Sequence, residues 1–189
     1  MFVRDWMTPD PITVGSADPV GKARQLLVIH KVRRLPIVKG GRVVGMVTDR
    51  DLRAGTAADD APVHTVGSQQ VVTVGSGDTI EHAAAEMVSH RVSGLPVVEK
   101  GELVGIITET DVFRALVDML GFREQAARMV LTLEPGGPTL GAQLAALEAR
   151  GLTLTSVVTY RRRAGGATQA VVRTAARGSG RQTGRKTRA

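Results

Sequence analysis

Apolar residues recur with helical spacing in two segments of the chain. In both segments they are separated by one, three or four residues, as on the buried face of a helix: Val20, Ala23, Leu26 and Leu27 in the first, and Ile80, Ala83, Ala84, Met87 and Val88 in the second. A short extended stretch precedes each helix, and two apolar strands and a second helix follow it. Each segment therefore predicts the order β-α-β-β-α, an α+β unit whose sheet has one face covered by helices.

The two segments are copies of one unit, displaced by 60 residues. Residues 30–38 recur as residues 90–98, and residues 45–51 recur as residues 105–111, without an insertion between them. Because a unit of roughly 50 residues is marginally stable alone, we expect the two copies to pair and bury their exposed sheet faces.

A different pattern follows the second copy. We expect a strand over residues 128–133, a helix over 140–150, a strand over 152–160 and a further strand over 168–175. Residues 177–189 lack apolar periodicity, which predicts disorder. The predicted organisation is a repeat at 1–60, a second repeat at 61–122, a small α/β segment at 126–176 and a disordered basic tail at 177–189.

Charge is unevenly distributed within a formal net charge of +7. Residues 151–189 contain nine Lys and Arg and no acidic residue, whereas residues 1–150 contain 16 basic and all 18 acidic residues. This basic end raises an alternative function, a nucleic-acid-binding regulator that neutralises phosphates with residues 161–163 and the tail through Arg188. A merely solubilising tail explains the same composition.

Several function classes find no support in the sequence. There is no cysteine, which excludes disulfides and thiolate chemistry. No nucleophile motif or dinucleotide fingerprint is present, and the four histidines lack the spacing of metal ligands, so we predict neither an enzyme nor a metal site. The charged N-terminus and the lack of an apolar run of about 20 residues lead us to expect a soluble, cytoplasmic protein without a membrane partner.

The repeated sequence Gly-x-x-Thr-x-x-Asp is the candidate site. It places Thr48 with Asp51, and Thr108 with Asp111, where a strand passes into a helix. Amide groups and the positive dipole end at such a junction suit a phosphate, and the aspartate can accept hydrogen bonds from ribose hydroxyls. The same pair also fits a capping box that satisfies only backbone donors. Both interpretations stay open.

Taken in order and twice, these motifs resemble a tandem pair of CBS repeats, named after cystathionine β-synthase and also called a Bateman module. The resemblance covers roughly residues 1–120 and rests on residues 7–14, 33–38 and 45–51, with counterparts at 92–98 and 105–111. It implies a regulatory protein that senses AMP, ADP, ATP or S-adenosylmethionine, changes conformation and controls a partner that the sequence does not identify. The chain is similar to stand-alone CBS proteins of the acetoin-utilization type.

The resemblance also implies residue roles. In the second site, the nucleotide base would contact Val92, Ser93, Gly94 and Val72. We place Thr108 and Asp111 in this same site. The matching residues of the first site would be Ile12, Val32, Arg33 and Arg34. The small Ser93-Gly94 pair leaves room for a purine, whereas the two arginines add bulk and suit a polyphosphate. We therefore expect the second site to bind more tightly.

Two further expectations concern assembly and the C-terminal segment. Residues 112–120 present an apolar stripe that could form a homodimer through the CBS modules or pack within the chain: Val112, Leu116, Val117 and Leu120. Residues 128–136, the helix through Leu147, and residues 151–157 resemble an ACT domain, followed for about four of its six elements.

Overall fold

A short strand and two copies of one α+β arrangement make up the first of two units, Met1–Ala115 and Leu116–Ala189. The strand is β1 (Thr8–Pro9); the first copy is β2 (Val14–Gly15), α1 (Val20–Ile29), β3 (Arg34–Lys39), β4 (Arg42–Thr48) and α2 (Asp49–Ala54). The second copy is α3 (Ile80–His90), β5 (Gly94–Glu99), β6 (Glu102–Thr108) and α4 (Glu109–Met119), with Val74 bridged to Val97 in place of β2. The predicted order of elements is confirmed.

This computed structural model describes residues 1–54, 57–122, 126–161 and 167–176. Residues 162 and 163 of the predicted basic arm, and the predicted tail at 177–189, lie outside the described residues. Among the helices of the described ranges, none combines the length and the apolar character needed to cross a membrane.

The core of each copy lies between its helices and its sheet. In the first copy β2 pairs in parallel with β3, and β3 pairs antiparallel with β4. Val20, Ala23 and Leu27 of α1 are buried, as are Ile80, Ala83 and Met87 of α3, which confirms most of the predicted helix faces. Val88 differs, because its side chain is 79% exposed.

The stretch of chain before each copy packs on the sheet of the other copy. β1 pairs antiparallel with β6, where Thr8 lies opposite Ile106, and the Val3 amide donates to the Asp78 carbonyl at 2.8 Å. The corresponding contacts of the second stretch are a bridge between Ser68 and Met46 and a 2.8 Å hydrogen bond from the Val63 amide to the Asp18 carbonyl. We call residues 3–12 and 63–72 the exchanged segments.

Glycines allow the exchanged segments to approach the sheets. A Cβ at Gly45 would lie 3.0 Å from the Ser68 carbonyl oxygen, and one at Gly105 would lie 2.5 Å from Met7 Sδ. Real Cβ atoms essentially never come as close to another heavy atom as the one at Gly105 would, and the contact at Gly45 is tighter than nine in ten real Cβ contacts. The crossing chain therefore favours glycine in the central part of β4 and β6, where no turn calls for it.

Apart from the last turn of α4, which crosses the boundary at Leu116, the second unit contains one sheet and one helix in its described part. β7 (Ala127–Leu133), β9 (Thr168–Ala176) and β8 (Leu152–Arg161) form an antiparallel sheet in that order, and α5 (Leu140–Ala149) packs against one of its faces. Leu147, Ala170 and Val172 are buried at its centre. The four elements predicted from the sequence are present within two residues of their predicted ends, and the ACT-like resemblance stays a prediction.

Candidate functional site

Both Thr–Asp pairs close a hydrogen-bonded turn at the junction of a strand and a helix. Asp51 Oδ2 accepts hydrogen bonds from the Thr48 amide at 2.9 Å and from Thr48 Oγ1 at 2.7 Å. Asp111 Oδ2 accepts the same pair from Thr108 at 3.0 and 2.6 Å. The Asp51 amide also donates to Thr48 Oγ1 at 3.3 Å, which completes a capping box in the first copy. The aspartate-to-threonine half of this interaction is present in both copies, and it uses only one carboxylate oxygen of each aspartate.

The other carboxylate oxygen distinguishes the two copies. Asp111 Oδ1 accepts a hydrogen bond from Arg114 Nη1 at 3.3 Å, and Asp111 is 8% exposed. The repeat counterpart of Arg114 is Ala54, which cannot pair with a carboxylate. Among the described residues Asp51 has no ion-pair partner, so its Oδ1 is the better acceptor for a ligand hydroxyl group.

Each Thr–Asp pair opens into a cavity. The cavity beside Thr48 and Asp51, which we call the Asp51 cavity, has a volume of about 440 Å³. The cavity beside Thr108 and Asp111, which we call the Asp111 cavity, has a volume of about 660 Å³. Both volumes lie in the range of roughly 300–1,000 Å³ that is usual for small-molecule sites.

All of the predicted site residues line one cavity or the other, but in a different grouping from the predicted one. The Asp51 cavity takes its apolar wall from the second copy: Val72 and Val92, with Ser93 and Gly94. The Asp111 cavity takes its wall from the first copy: Ile12 and Val32, with Arg33 and Arg34. The structure therefore places Val92 and Gly94 in the Asp51 cavity and not with Thr108 and Asp111 as predicted, whereas Ser93 lines both cavities.

The exchanged segments are part of the physical reason for this grouping. Residues 8–12 follow the sheet of the second copy and end beside Thr108, whereas residues 68–72 follow the sheet of the first copy and end beside Thr48. The repeated pattern in the sequence indicates that the copies are equivalent. It does not show which copy each connecting segment crosses to.

Arg34 forms a wall between the two cavities. Its Nη2 donates to Ser93 Oγ at 2.6 Å, and a Cβ at Gly94 would lie 2.6 Å from Arg34 Nη1. Gly94 is the repeat counterpart of Arg34, so the arginine occupies the space that a side chain at Gly94 would take. The prediction that Ser93 and Gly94 leave this space to a purine was wrong for the part that Arg34 fills.

Burial is the main cause that lowers the pKa of Arg34 from its ordinary value; the charge of Glu109 opposes this effect, and that of Arg33 reinforces it. An arginine remains protonated at any physiological pH even so. The lowered pKa means that burial destabilises the charged guanidinium, and a nearby anion would stabilise it again.

The linings carry more positive than negative charge. The Asp51 cavity is lined by four cationic and two anionic side chains: Arg33, Arg34, Arg50 and Arg91, with Asp49 and Asp51. The Asp111 cavity is lined by four cationic and three anionic side chains: Lys31, Arg33, Arg34 and Arg114, with Asp10, Glu109 and Asp111.

Some basic residues that line the cavities were not predicted from the sequence. Lys31 and Arg91 occupy one repeat position just beyond α1 and α3, both with positive φ, of 53° and 54°. A basic residue at the same position of both copies was a usable signal for a site. Arg114 gave no such signal, because its counterpart is Ala54.

The CBS domain family matches residues 3–55 and 63–118, more than half of the chain. Among curated proteins, the CBS domain-containing protein YhcV of Bacillus subtilis is 34% identical over 113 residues, which are 58% of this chain and 81% of that protein. The L-aspartate semialdehyde sulfurtransferase of Methanocaldococcus jannaschii is 31% identical over 115 residues, 60% of this chain. The match spans only 23% of that enzyme.

Solved structures give the same result. A putative acetoin utilization protein (AcuB) from Vibrio cholerae superposes with a TM-score of 0.59 at 30% identity, over 67% of this chain and 98% of that one. The CBS domain pair of protein MJ0100, in complex with 5′-methylthioadenosine and S-adenosyl-L-methionine, has a TM-score of 0.59 at 28% identity, over 66% and 98%. CBSX2 in complex with AMP has a TM-score of 0.57 at 30% identity, over 62% and 96%.

Proposed function

Because the chain belongs to the CBS domain family, we propose that its first unit senses adenine nucleotides and controls a partner protein without catalysing a reaction itself. The ligand sites are the Asp51 and Asp111 cavities. Binding in them stabilises one arrangement of the two copies, and the population of that arrangement is the signal.

The observation that carries this proposal is the composition of each cavity. A Thr–Asp pair, an apolar wall and arginines face one space of suitable size. An apolar wall suits a purine, a carboxylate suits ribose hydroxyls, and guanidinium groups suit phosphate. The solved relatives that hold AMP, or 5′-methylthioadenosine with S-adenosyl-L-methionine, support an adenosine-containing ligand.

The charge of the linings favours an anionic nucleotide. S-adenosylmethionine carries a sulfonium cation, which the cationic excess of both linings disfavours. AMP, ADP and ATP carry increasing negative charge and gain from the same excess. The Asp51 cavity has the larger excess and the carboxylate free of an ion pair, so it binds more tightly.

Calorimetry on the full chain tests the proposal with AMP, ADP, ATP, S-adenosylmethionine and, as a base control, GTP. We expect binding of the three adenine nucleotides, strongest for ATP. Asp51→Ala weakens the tighter binding by about 1.5–3 kcal/mol, the usual value for a hydrogen bond to a charged group.

Asp60→Ala is the matched control, since Asp60 is exposed and lies outside both linings. Both substitutions remove one negative charge, which on its own would strengthen the binding of an anion. A loss of affinity in Asp51→Ala alone is therefore not a charge effect, and it reports the loss of the carboxylate that accepts from the ligand and holds Thr48 in place. If no adenine nucleotide binds at millimolar concentration, the proposal is wrong.

The chain forms a homodimer in this proposal. Of the predicted stripe, Val112 is 7% exposed and Val117 is 37% exposed, so the stripe is not a continuous exposed surface. The three most exposed of the large apolar side chains described are on α1 and α3, with Val28 at 76%, Ile29 at 69% and Val88 at 79%. Such exposure is typical of an interface. Sedimentation should give a dimer, and Val88→Asp should shift it toward monomer; a wild-type monomer at micromolar concentration contradicts the dimer.

A further inference from the structure

We propose that Arg34 and Arg33 are an anion-binding pair shared by the two cavities, so that an anionic ligand in one cavity weakens the binding of an anionic ligand in the other. This inference rests on the proposed function and adds its regulation. Neutral ligands of the same shape escape the effect.

The distribution of charge is the first support. Arg33 and Arg34 line both cavities. Without them the Asp111 cavity keeps Lys31 and Arg114 against three carboxylates, and the Asp51 cavity keeps two arginines against two carboxylates. The positive excess of each cavity therefore depends on the same two side chains.

The placement of Arg34 is the second support. Its guanidinium is fixed by the 2.6 Å hydrogen bond to Ser93 Oγ and packs against Gly94, in the wall between the cavities. The half-buried side chain lies where water screens charge less than at the surface. A phosphate in either cavity that reaches this guanidinium neutralises it for the other cavity.

The expected penalty follows from the shared charge. When the first ATP binds, the second cavity loses the cationic excess and gains a neighbouring polyanion. We expect the second ATP to bind about tenfold more weakly than its cavity binds ATP alone, within the usual range of coupling between two sites. Adenosine carries no charge, so its two binding steps should be independent.

Calorimetry of the full chain with ATP and with adenosine, in the absence of Mg²⁺, measures this coupling. Asp51→Ala weakens ATP binding in the Asp51 cavity, so the tighter step of this variant gives the intrinsic affinity of the Asp111 cavity. Asp111→Ala gives the intrinsic affinity of the Asp51 cavity in the same way. The second ATP step of the wild type is then compared with the weaker of these two intrinsic affinities. The same comparison is made with adenosine.

Arg33→Met and Arg34→Met test the assignment, and Lys31→Met and Arg91→Met are matched controls. Each variant removes one positive charge, but Lys31 lines only the Asp111 cavity and Arg91 only the Asp51 cavity. The controls should weaken ATP binding in one cavity and keep the tenfold coupling. Arg33→Met and Arg34→Met should weaken ATP binding in both cavities and reduce the coupling. Arg33 is exposed, so its replacement spares the fold if Arg34→Met does not fold.

The outcomes separate the two proposals. If the wild type binds neither ligand, the proposed function fails. If both ligands bind but ATP shows no coupling, or ATP and adenosine show the same coupling, the shared pair is wrong. It is also wrong if only one cavity ever binds ATP, or if the controls reduce the coupling as much as Arg33→Met does.

Discussion

Replacing Gly67 with alanine should destabilise the first unit, because Gly67 lies where an exchanged segment crosses the sheet of the other copy. A Cβ at this position would overlap Ile37 Cδ1 and lie 2.9 Å from the Met46 carbonyl oxygen. Neither neighbour can move freely, since Ile37 is 1% exposed in the core and the Met46 carbonyl accepts the Ser68 amide at 2.9 Å. Inserting a methyl group into such a packed position costs about 1–3 kcal/mol.

Thermal and urea unfolding of the full chain measure this cost. For a domain near 100 residues each kcal/mol lowers the midpoint by roughly 4–8 °C. Gly77→Ala is the control, because a Cβ there would have Arg4 Nη1 at 3.9 Å as its nearest neighbour and causes no overlap. Ser68 and residues 70–72 line the Asp51 cavity, so Gly67→Ala should also weaken ATP binding there. Equal midpoints for the two variants would refute the crossing argument.

Two further perturbations follow from local contacts. Leu95→Ala should cost about 2–5 kcal/mol in urea unfolding, because Leu95 is fully buried and its loss leaves a cavity; a cost below 1 kcal/mol contradicts that packing. The pKa of Asp18 is lowered mainly by the hydrogen bond from Lys22 and then by that from the Gly15 amide. The ionised Asp18 carboxylate therefore stabilises the fold above about pH 4, the pKa of an aspartate in the unfolded chain. This stabilisation is lost as the pH falls through the lower pKa that Asp18 has in the folded protein. Asp18→Asn should unfold at a lower midpoint than wild type at pH 6, and this difference should shrink as the pH falls below about 4; a difference that stays constant as the pH falls is the contrary result.

Local pattern was sufficient for the elements of the fold. Helical spacing predicted α1 and α3, and short apolar runs separated by glycine-containing turns predicted the strands, because these signals depend on residues a few positions apart. The position of Val88 was not predictable in this way, since an apolar residue in a helix is exposed or buried according to what packs beside it. The exposed Val88 became a candidate for contact with a second copy of the chain.

The site was predictable as a set of residues and not as an arrangement. Thr48, Asp51 and their counterparts were found from the repeat itself. Which wall faces which Thr–Asp pair depends on contacts between residues distant in sequence, such as Ser68 with Met46, 22 positions apart, and Thr8 with Ile106, 98 positions apart. The position of Arg34 against Gly94 is likewise a property of the paired copies.

Because of the exchanged segments, the boundary between the two sequence repeats is not a boundary between two independently folding units. A fragment that ends near residue 60 keeps the sheet of the first copy but lacks Val63, which is fully buried in the core of that copy. A fragment that starts there lacks Val3 and β1, which complete the second copy. Neither half can finish its core alone, so the two repeats should fold and unfold in one cooperative step, as a single thermodynamic domain.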